Sequence, residues 1–515
     1  MPKHWAKCLY MQPSCTWQGA VVENDMNALC NSSPHVIVVG SGIIGGAISL
    51  ALLKKGVSVC QIRPLSGRKE SASLAAGAML GAFAEVTADK NTIRDQEETA
   101  FRVRASALYP EWLTELSSIS GISVKLGMGT FIVANTFGRH DLRNIQAIEK
   151  ELARFKAPYE SVDERDVPGY RPNERYLPRK ILWLPQEGFV DTLELTSALD
   201  VATESHARFS CEDCFVDRLI LRGGKVCGVV LSDGRELEGD HVVLAAGVGT
   251  QALLESLPEE ARLPCPRLMP GKGTSLVLET TEHYPHVLRS PNRDFACGIH
   301  VVPRGQGRIY VGATNRTASC PGTSPGASVE EVHDLLHEVV HEFNTFLDSA
   351  TIESIRVGSR PICVDGYPLV GSTECPGLSL ATGTYRNGVL MAPLVARILA
   401  SEIVGDSIDE ANPFSPRGRR IQGDALSSSA LFKSGAEGIV SFLPSPHGSL
   451  PYKRTEELGS FLHTLLAMAL KDGDELEPLR QEARRLLQSQ PMNESFAQLF
   501  FMLGERQPGS TAKGE

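Results

Sequence analysis

A short apolar run followed by a glycine-rich turn opens the first regular part of the chain. His35–Val39 is rich in β-branched residues and ends at a glycine, which is typical of a buried strand. Apolar residues then recur at helical spacing from Ile43 to Lys55 until Gly56, and Val57–Ile62 is again strand-like. This succession predicts a βαβ unit, and therefore a parallel sheet.

Strand-like and helical segments continue as far as about residue 404. Helical spacing covers Thr92–Ser120, His140–Arg154, Val329–Leu347 and about Ala392–Val404. Further runs favour strands: Thr130–Ala134, Ile181–Leu184, Lys225–Leu231, His241–Ala245, Thr274–Leu278, Ile299–Val302 and Leu378–Ala381. We expect residues 1–34 to be a disordered extension, residues 406–455 a linker and residues 456–515 a helical extension. Met1 and Met26 both remain open as translation starts.

Composition narrows the class of protein. The 515 residues carry 51 Lys and Arg against 61 Asp and Glu, a formal charge of −10, with 42% hydrophobic residues. This usage is globular, and the length suggests roughly three domain-sized pieces of about 150 residues. The acidic balance disfavours a generally basic nucleic-acid binder. No apolar run approaches the ~20 residues of a membrane helix, and the N-terminus lacks the apolar region of a secretory signal.

Twelve cysteines are scattered along the chain, which is typical of free thiols in a reducing compartment. We therefore expect a cytoplasmic protein. Cys211 and Cys214 have CxxC spacing, but there is no second such pair and no nearby histidine pair. The sequence accordingly predicts no metal site.

The glycine-rich turn has the chemistry of a dinucleotide-binding loop. It consists of Gly40, Ser41, Gly42, Ile43, Ile44 and Gly45, between a predicted strand and a predicted helix. The first glycine permits a tight turn, the second allows close approach of a pyrophosphate, and the third allows close packing of helix on strand. The N–H groups at the start of the helix would bind the phosphates.

The carboxylate that usually follows the second strand is missing. Arg63 stands where an acid would accept hydrogen bonds from the ribose hydroxyls, and a guanidinium can only donate. Two interpretations follow from the residues alone. Either other groups hold the ribose, or Arg63 meets a 2′-phosphate, as in NADP sites.

Three segments, combined with the glycine turn, resemble one family. They span residues 71–85, 358–371 and 381–393, and they resemble the glycine oxidase (ThiO-type) branch of the D-amino-acid oxidase family of FAD enzymes. The resemblance covers roughly residues 35–405 and implies FAD rather than NADP. It implies an α/β fold with a Rossmann-like FAD-binding domain interleaved with a mixed antiparallel-sheet α+β substrate domain, followed here by the helical extension.

The resemblance also implies how the chain is divided and which residues contact FAD. The FAD-binding domain would comprise residues 35–90, 188–260 and 355–405, and the substrate domain residues 91–187 and 261–354. Besides the glycine turn and Arg63, the implied FAD contacts are Ser73, Ala76, Gly77, Met79, Val216, Ala246, Gly247, Gly383, Tyr385, Asn387, Gly388 and Val389. The N-terminus of the helix beginning near Ala392 would face the N1–O2 edge of the flavin.

Three residues are implied for the substrate. Arg360 matches the main carboxylate-binding arginine, Arg386 matches a second arginine near the flavin, and His300 stands where the family often has a tyrosine. One departure is local, since Ala78 is inserted into the usual AAGML pattern. The expected substrate pair is a small amino acid or amine and oxygen.

Three functions are compatible with these motifs. The first is an oxidase that converts a glycine-like or D-amino-acid-like substrate to an imine, then to a keto acid and ammonia, with oxygen reduced to peroxide. The second is an amino-acid or opine dehydrogenase subunit that passes electrons to a partner protein. The third is an interaction protein with a decayed flavin site. The C-terminal helices could form a homo-oligomer or bind a partner.

Overall fold

A computed structural model describes residues 35–67, 71–88, 90–136, 141–293, 298–317, 326–363, 365–407 and 411–419. The expected extension at residues 1–34, the helices expected in 456–515 and most of the expected linker lie outside these residues. The α-helices are α1 Ile43–Lys54, α2 Ala72–Ala75, α3 Ile93–Ala107, α4 Tyr109–Ser120, α5 Asp141–Phe155, α6 Thr192–Glu204, α7 Thr250–Glu255, α8 Val329–Glu338 and α9 Gly388–Val404.

The strands alternate with these helices along the chain. They are β1 His35–Val39, β2 Ser58–Ile62, β3 Met79–Leu80, β4 Gly127–Asn135, β5 Glu160–Ser161, β6 Pro178–Phe189, β7 Phe209–Glu212, β8 Val216–Arg222, β9 Lys225–Leu231, β10 Glu236–Glu238, β11 His241–Leu244, β12 Leu268–Glu279, β13 Val287–Arg289, β14 His300–Gly305, β15 Arg308–Gly312, β16 Arg316–Thr317, β17 Thr351–Cys363, β18 Leu369–Ser372 and β19 Leu378–Thr382.

The first sheet contains the predicted βαβ unit. Its order is β18-β19-β11-β1-β2-β7, with β1 parallel to both β2 and β11 and with β18 antiparallel to β19. The βαβ prediction is therefore confirmed. The six strands come from three separated stretches, 35–62, 209–244 and 369–382. The proposed domain boundaries remain a prediction, although these stretches lie within the segments assigned to the FAD-binding domain.

Helices α1 and α9 pack together in the core against this sheet. The helix expected from about Ala392 begins instead at Gly388, and it contains Pro393 in its interior. Pro393 has no N–H, so the Val389 carbonyl lacks its helical donor. The Tyr109 hydroxyl supplies it, donating to the Val389 oxygen at 2.5 Å. A side chain 280 residues away thus satisfies the bond that the proline removes.

The second sheet is the largest of the three described sheets. It has ten strands, most of them antiparallel, in the order β16-β12-β15-β14-β13-β4-β6-β3, with β17 paired to β12 and β5 to β6. The third sheet is small and has the order β10-β9-β8. The α/β fold expected for the two interleaved domains is therefore confirmed.

Two predicted helices differ in the structure. Residues 92–120 form two helices because the chain bends at Leu108, and Pro110 enters the first turn of α4. The helix predicted to run to Leu347 ends at Glu338 and continues as a π-helical turn, Val339–Phe343. Val339 and Phe343 are both fully buried there, so the apolar spacing reflected a core rather than a continuous helix. No helix in the described ranges combines the length and apolar character required to cross a bilayer.

Candidate cofactor and substrate site

The glycine turn lets β1 pass directly into α1. Gly40 has φ +116°, and a Cβ there would overlap the Ala245 carbonyl and come within 3.0 Å of the Ala246 nitrogen. A Cβ at Gly45 would overlap the Gly40 carbonyl. The turn therefore requires glycine at both positions, and it brings the predicted residue Ala246 against the start of α1.

Ser73 lies at the N-terminus of α1. Its Oγ accepts a hydrogen bond from the Ile43 N–H at 3.1 Å, and a Cβ at Gly42 would lie 2.9 Å from that Oγ. Because Gly42 offers no capping side chain, this serine from α2 is the polar group at the helix end. A hydroxyl that accepts one bond still has a proton to donate. The helix end therefore combines backbone donors with a hydroxyl, as an anion site requires.

A second helix N-terminus lies beside the first. A Cβ at Gly388, the first residue of α9, would be 3.0 Å from Thr384 Oγ1 and 3.6 Å from Ile44 Cδ1. Neither α1 nor α9 has an acidic residue in its first turn, and Asn387 makes no side-chain cap. Two positive helix ends therefore face the same region.

Gly247 and Gly383 border this region. Both have positive φ, +58° and +70°, and a Cβ at Gly247 would meet nothing within 4 Å. Thr382 Oγ1 donates to the Gly247 carbonyl at 3.1 Å, which joins the end of β19 to the end of β11. The space beside Gly247 can thus admit a ligand along the carboxyl ends of the parallel strands.

The side chain of Arg63 pairs with two carboxylates of α6. Its Nη1 donates to Asp200 at 2.9 Å and its Nη2 donates to Glu204 at 2.6 Å. The guanidinium lies 6.0 Å from the centre of the Phe209 ring, and Phe209 pairs with Val59, four residues before Arg63. The side chain therefore folds back from the end of β2 towards α6. The charge of the guanidinium is thus matched by Asp200 and Glu204, which disfavours a 2′-phosphate there, and the cofactor contact of Arg63 remains a prediction.

The remaining predicted cofactor residues fall in two places. Ala76 and Gly77 follow α2, and their carbonyls accept hydrogen bonds from Arg304 at 3.5 and 2.9 Å. Met79 follows in β3 and packs against an apolar cluster that includes Tyr310. Val216 begins β8 in the small sheet, where it pairs with Leu231. Their cofactor contacts remain predictions.

Arg360 lies on β17, where the strand passes α2. Its Nη1 donates to the Thr314 carbonyl at 3.0 Å and to Asn315 Oδ1 at 3.3 Å. Within the described parts of the chain, no carboxylate lies within ion-pairing distance of its guanidinium. A Cβ at Gly273 would overlap that guanidinium, so the glycine makes room for it. Arg360 is therefore a half-buried cation held by neutral acceptors.

Asn315 also connects Arg360 to the turn before α9. Its Nδ2 donates to the Tyr385 hydroxyl, while its Oδ1 faces Arg360. Tyr385 has φ +49°, an uncommon conformation for a residue with a side chain. The tyrosine backbone is held by a hydrogen bond from its N–H to the Pro361 carbonyl at 3.0 Å. One amide side chain thus joins two of the predicted site residues.

Arg386 belongs to a cluster that shares one carboxylate. Its Nη2 lies 2.9 Å from Glu85 Oε2, and Arg289 Nη1 lies 2.9 Å from Glu85 Oε1. Burial opposes ionisation of Glu85, but Arg386 and Arg289 outweigh it and hold the pKa of that carboxyl well below its usual range. One carboxylate is thus shared by two guanidinium groups.

His300 is buried close to this cluster. It pairs across the sheet with Arg289, and its ring stacks on Tyr310 with centroids 5.7 Å apart. Its Nδ1 lies 2.9 Å from the Gly298 carbonyl, which can only accept, so Nδ1 carries the proton. Burial, then the Arg289 charge, lowers the pKa of His300 to about 3. The ring is therefore neutral, and its catalytic role remains a prediction.

Several residues of this site had not been predicted. Glu85 ended a recognised motif, but nothing along the chain indicated that it pairs with Arg386. Three further residues lie outside the recognised motifs, where the sequence gives no indication of a site: Arg289, Asn315 and Gly273. Within the described residues, no group of three or more His, Cys, Asp or Glu side chains could hold a metal ion.

A dinucleotide fits the two helix ends, the Ser73 hydroxyl and the open space beside Gly247. Comparison with known proteins indicates which dinucleotide this is. A family model described as FAD dependent oxidoreductase matches residues 35–402. Bifunctional protein ThiO/ThiG of Nostoc sp. is 28% identical over 377 residues, covering 73% of this chain and 53% of that relative. The chain thus spans about half the length of that relative.

Two other proteins match over nearly their whole length. Glycine oxidase of Bacillus licheniformis is 27% identical over 384 residues, covering 72% of this chain and 93% of the relative. The crystal structure of glycine oxidase from Geobacillus kaustophilus superposes with a TM-score of 0.65 at 23% identity, covering 75% of this chain and 100% of that one. The latter likeness concerns the fold. Because the family model covers well over half of the residues, the chain belongs to the FAD dependent oxidoreductases, and the predicted FAD cofactor is confirmed.

Proposed function

We propose that the protein oxidises the C–N bond of a small amino acid or amine, of the glycine or D-amino-acid type. The substrate loses a hydride and a proton to become an imine, which water hydrolyses to a keto acid and ammonia. Oxygen takes the two electrons and two protons to become hydrogen peroxide. The observation that carries this proposal is the Arg360 guanidinium, which has no carboxylate partner among the described residues.

Arg360 is built to bind a carboxylate. Thr314 and Asn315 occupy only its Nη1, so the Nη2 and Nε donors remain for a ligand. Planar guanidinium and carboxylate groups form two parallel charge-assisted hydrogen bonds, which fix orientation as well as position. Arg386 adds positive charge nearby, although Glu85 takes part of it. A substrate with a carboxylate on the reacting carbon would be oriented by this pair.

The FAD would be held by the groups at the two helix ends. The glycine turn and Ser73 would take the pyrophosphate, and the N-terminus of α9 would face the flavin. When bound, FAD accepts the hydride from the substrate carbon. The similarity of the chain to glycine oxidase and to the bifunctional ThiO/ThiG protein supports an amino acid as the class of substrate.

His300 contributes a neutral ring next to the arginines. Because Nδ1 donates to Gly298, Nε2 presents a lone pair and no positive charge. A neutral ring does not repel a substrate amine, and its lone pair can accept an amine N–H. The protein then needs no general base, since the amine must only be neutral when the hydride leaves.

A panel of glycine, sarcosine and D-alanine, offered to the FAD-loaded protein with peroxide detection, tests the proposal. Peroxide release with at least one of them is expected. Turnover only with an artificial electron acceptor would favour the second function, a dehydrogenase that passes its electrons to a partner protein. Turnover with neither acceptor would overturn C–N oxidation. Arg308→Gln, which removes an exposed arginine paired with Glu353, is the matched control for Arg360→Gln.

A further inference from the structure

A second carboxyl group lies beneath the Glu85 cluster. Glu187, on β6, is 4% exposed. Its Oε1 accepts the N–H groups of Phe83 and Ala84 at 2.6 and 3.1 Å, whereas its Oε2 has no hydrogen-bond partner among the described residues. An ionised oxygen that is buried without a donor is costly, and a protonated one is much less so.

Glu187 is linked to Arg386 through the backbone. The two residues that donate to it, Phe83 and Ala84, lead directly into Glu85, which pairs with Arg386. A Cβ at Gly81 would be 3.3 Å from Glu187 Oε2 and 3.7 Å from Arg289 Nη1. The unpartnered oxygen therefore shares one small space with a guanidinium that pairs with Glu85.

The charges around Glu187 come from three elements. Arg289 is on β13, Glu85 is in the segment after β3, and on α3 Arg102 is paired with Glu98 at 3.3 Å. Burial raises the pKa of Glu187 to about 7, against the opposing effect of its two backbone donors and Arg289.

The protonation of Glu187 changes the charge of the cluster by one unit. Ionisation of Glu187 adds a negative charge beside Arg289 and Arg386, and protonation removes that charge. His300 remains neutral across this range, because its pKa is lowered to about 3 by burial and by Arg289.

We propose that Glu187 is a proton-binding positioning residue whose neutral form favours binding of the substrate carboxylate and whose ionisation weakens it. This inference rests on the proposed function, since it concerns the anion bound by Arg360 and Arg386. The sign follows from linkage: a rise in pH releases the proton from Glu187 to solvent, adds a negative charge and weakens anion binding. An anion bound beside the cluster would in turn favour proton uptake.

Titration of the FAD-loaded protein with glycolate, followed by flavin absorbance, tests the linkage. Glycolate has a carboxylate and no amine, so its own charge is constant between pH 6 and 8.5. For the unmodified protein we expect binding about tenfold weaker at pH 8.5 than at pH 6, the equivalent of one pKa unit. Glu187→Gln mimics the protonated group and should bind tightly at both values, within about twofold.

Glu338→Gln is the control variant. Burial and then Glu342 raise the pKa of Glu338 to about 8, but it lies on α8, outside the cluster. It should keep the pH dependence of the unmodified protein. Equal pH dependence in the unmodified protein and in Glu187→Gln would overturn the inference.

A spectroscopic readout separates this inference from the proposed function. Infrared difference spectra of Glu338→Gln between pH 6 and 8.5, a background in which the carboxyl group of Glu338 cannot contribute, should contain the carbonyl band of a buried carboxylic acid, and adding Glu187→Gln should remove this band. The absence of this band would overturn the inference even if glycolate binds. Failure of glycolate to bind at either pH, with the band present, would instead contradict the proposed function and the linkage to it, leaving the proton-binding group supported.

Discussion

The guanidinium of Arg360 covers the Cα of Gly273 on the neighbouring strand. In the antiparallel pair, Arg360 is opposite Gly271 and Gly273 is opposite Gly358, so the arginine reaches diagonally across β12. Any side chain at position 273 would occupy the volume of the guanidinium. The direction of the arginine is therefore fixed by a missing side chain as well as by Thr314 and Asn315.

Substitution Gly273→Ala should displace Arg360 and weaken carboxylate binding. A charge-assisted hydrogen bond is worth about 1.5–3 kcal/mol, so we expect KM to rise at least tenfold with FAD still bound. Steady-state kinetics and the flavin spectrum measure both quantities. Arg360→Ala should give a similar KM, whereas Gly326→Ala, whose Cβ would meet nothing within 4 Å, should leave it unchanged. An unaltered KM in Gly273→Ala and Arg360→Ala would remove Arg360 from carboxylate binding.

Glu85→Gln and Arg386→Gln should differ in their effect on stability. Arg289 is 1% exposed, and loss of Glu85 leaves it with neutral partners only, which should lower the free energy of unfolding by about 3 kcal/mol. Arg386→Gln keeps the pair between Glu85 and Arg289 and should cost less than about 1.5 kcal/mol. Denaturant unfolding of the two variants compares them directly. Equal losses would show that the buried pair is not the stabilising one.

The pH dependence of stability should also depend on Glu85. Its pKa is depressed by Arg386 and Arg289 against the opposing effect of burial, so its contribution is fully present above the ordinary glutamate pKa of about 4.3. The contribution declines as the pH falls towards the depressed folded-state pKa. Acid unfolding of Glu85→Gln should therefore have a shallower slope below about pH 4.3 than that of the unmodified protein. Identical slopes would contradict the assignment.

Ser73→Ala should weaken FAD binding with little effect on folding. The hydroxyl proton of Ser73 is the donor that α2 brings to the N-terminus of α1, and one hydrogen bond of about 1 kcal/mol corresponds to about fivefold in affinity. Fluorescence titration of the apoprotein with FAD measures the change. Ser49→Ala removes a buried hydroxyl of α1 that has no hydrogen-bond partner among the described residues, and it should not alter affinity. Matching losses in the two variants would refute the role of Ser73.

Arg63→Ala should affect stability rather than the cofactor. The side chain of Arg63 is 7% exposed and its partners are 23% and 53% exposed, so the loss should be about 1–2 kcal/mol, less than for a fully buried pair. FAD affinity should change by less than twofold. Thermal unfolding and FAD titration measure the two effects. A large loss of FAD affinity without a loss of stability would restore Arg63 to the cofactor site.

The elements of the fold that could be predicted from the sequence are those determined by residues close together along the chain. The glycine turn and α1 follow from residues 40–54, because turn and helix are set by neighbours along the chain. The start of α9 was wrong for an equally definite reason. Pro393 is more common in the first turn of a helix, whereas here it lies inside α9 and the distant Tyr109 hydroxyl donates to the Val389 carbonyl that the proline leaves without a helical donor.

The charged partners could not be predicted in this way. Arg63 meets Asp200 and Glu204 at separations of 137 and 141 residues, and Glu85 meets Arg289 across 204 residues. The sequence predicts a cation, Arg63, at the end of a strand. It does not predict the direction in which the Arg63 side chain points. The direction depends on α6, which packs against α1 from a later part of the chain.

The three-part origin of the first sheet has a consequence for how the protein is made. Strand β1 lies between β2 and β11, and β11 pairs in turn with β19 at residues 378–382. The sheet is therefore completed only some 340 residues after β1 has been synthesised. Contacts between such distant segments slow folding, because the intervening chain must first be ordered. During synthesis, the glycine turn at residues 40–45 leaves the ribosome long before α9 is available to pack beside it. We expect nascent chains that end before residue 378 to depend on chaperones and to acquire FAD only after α9 is complete.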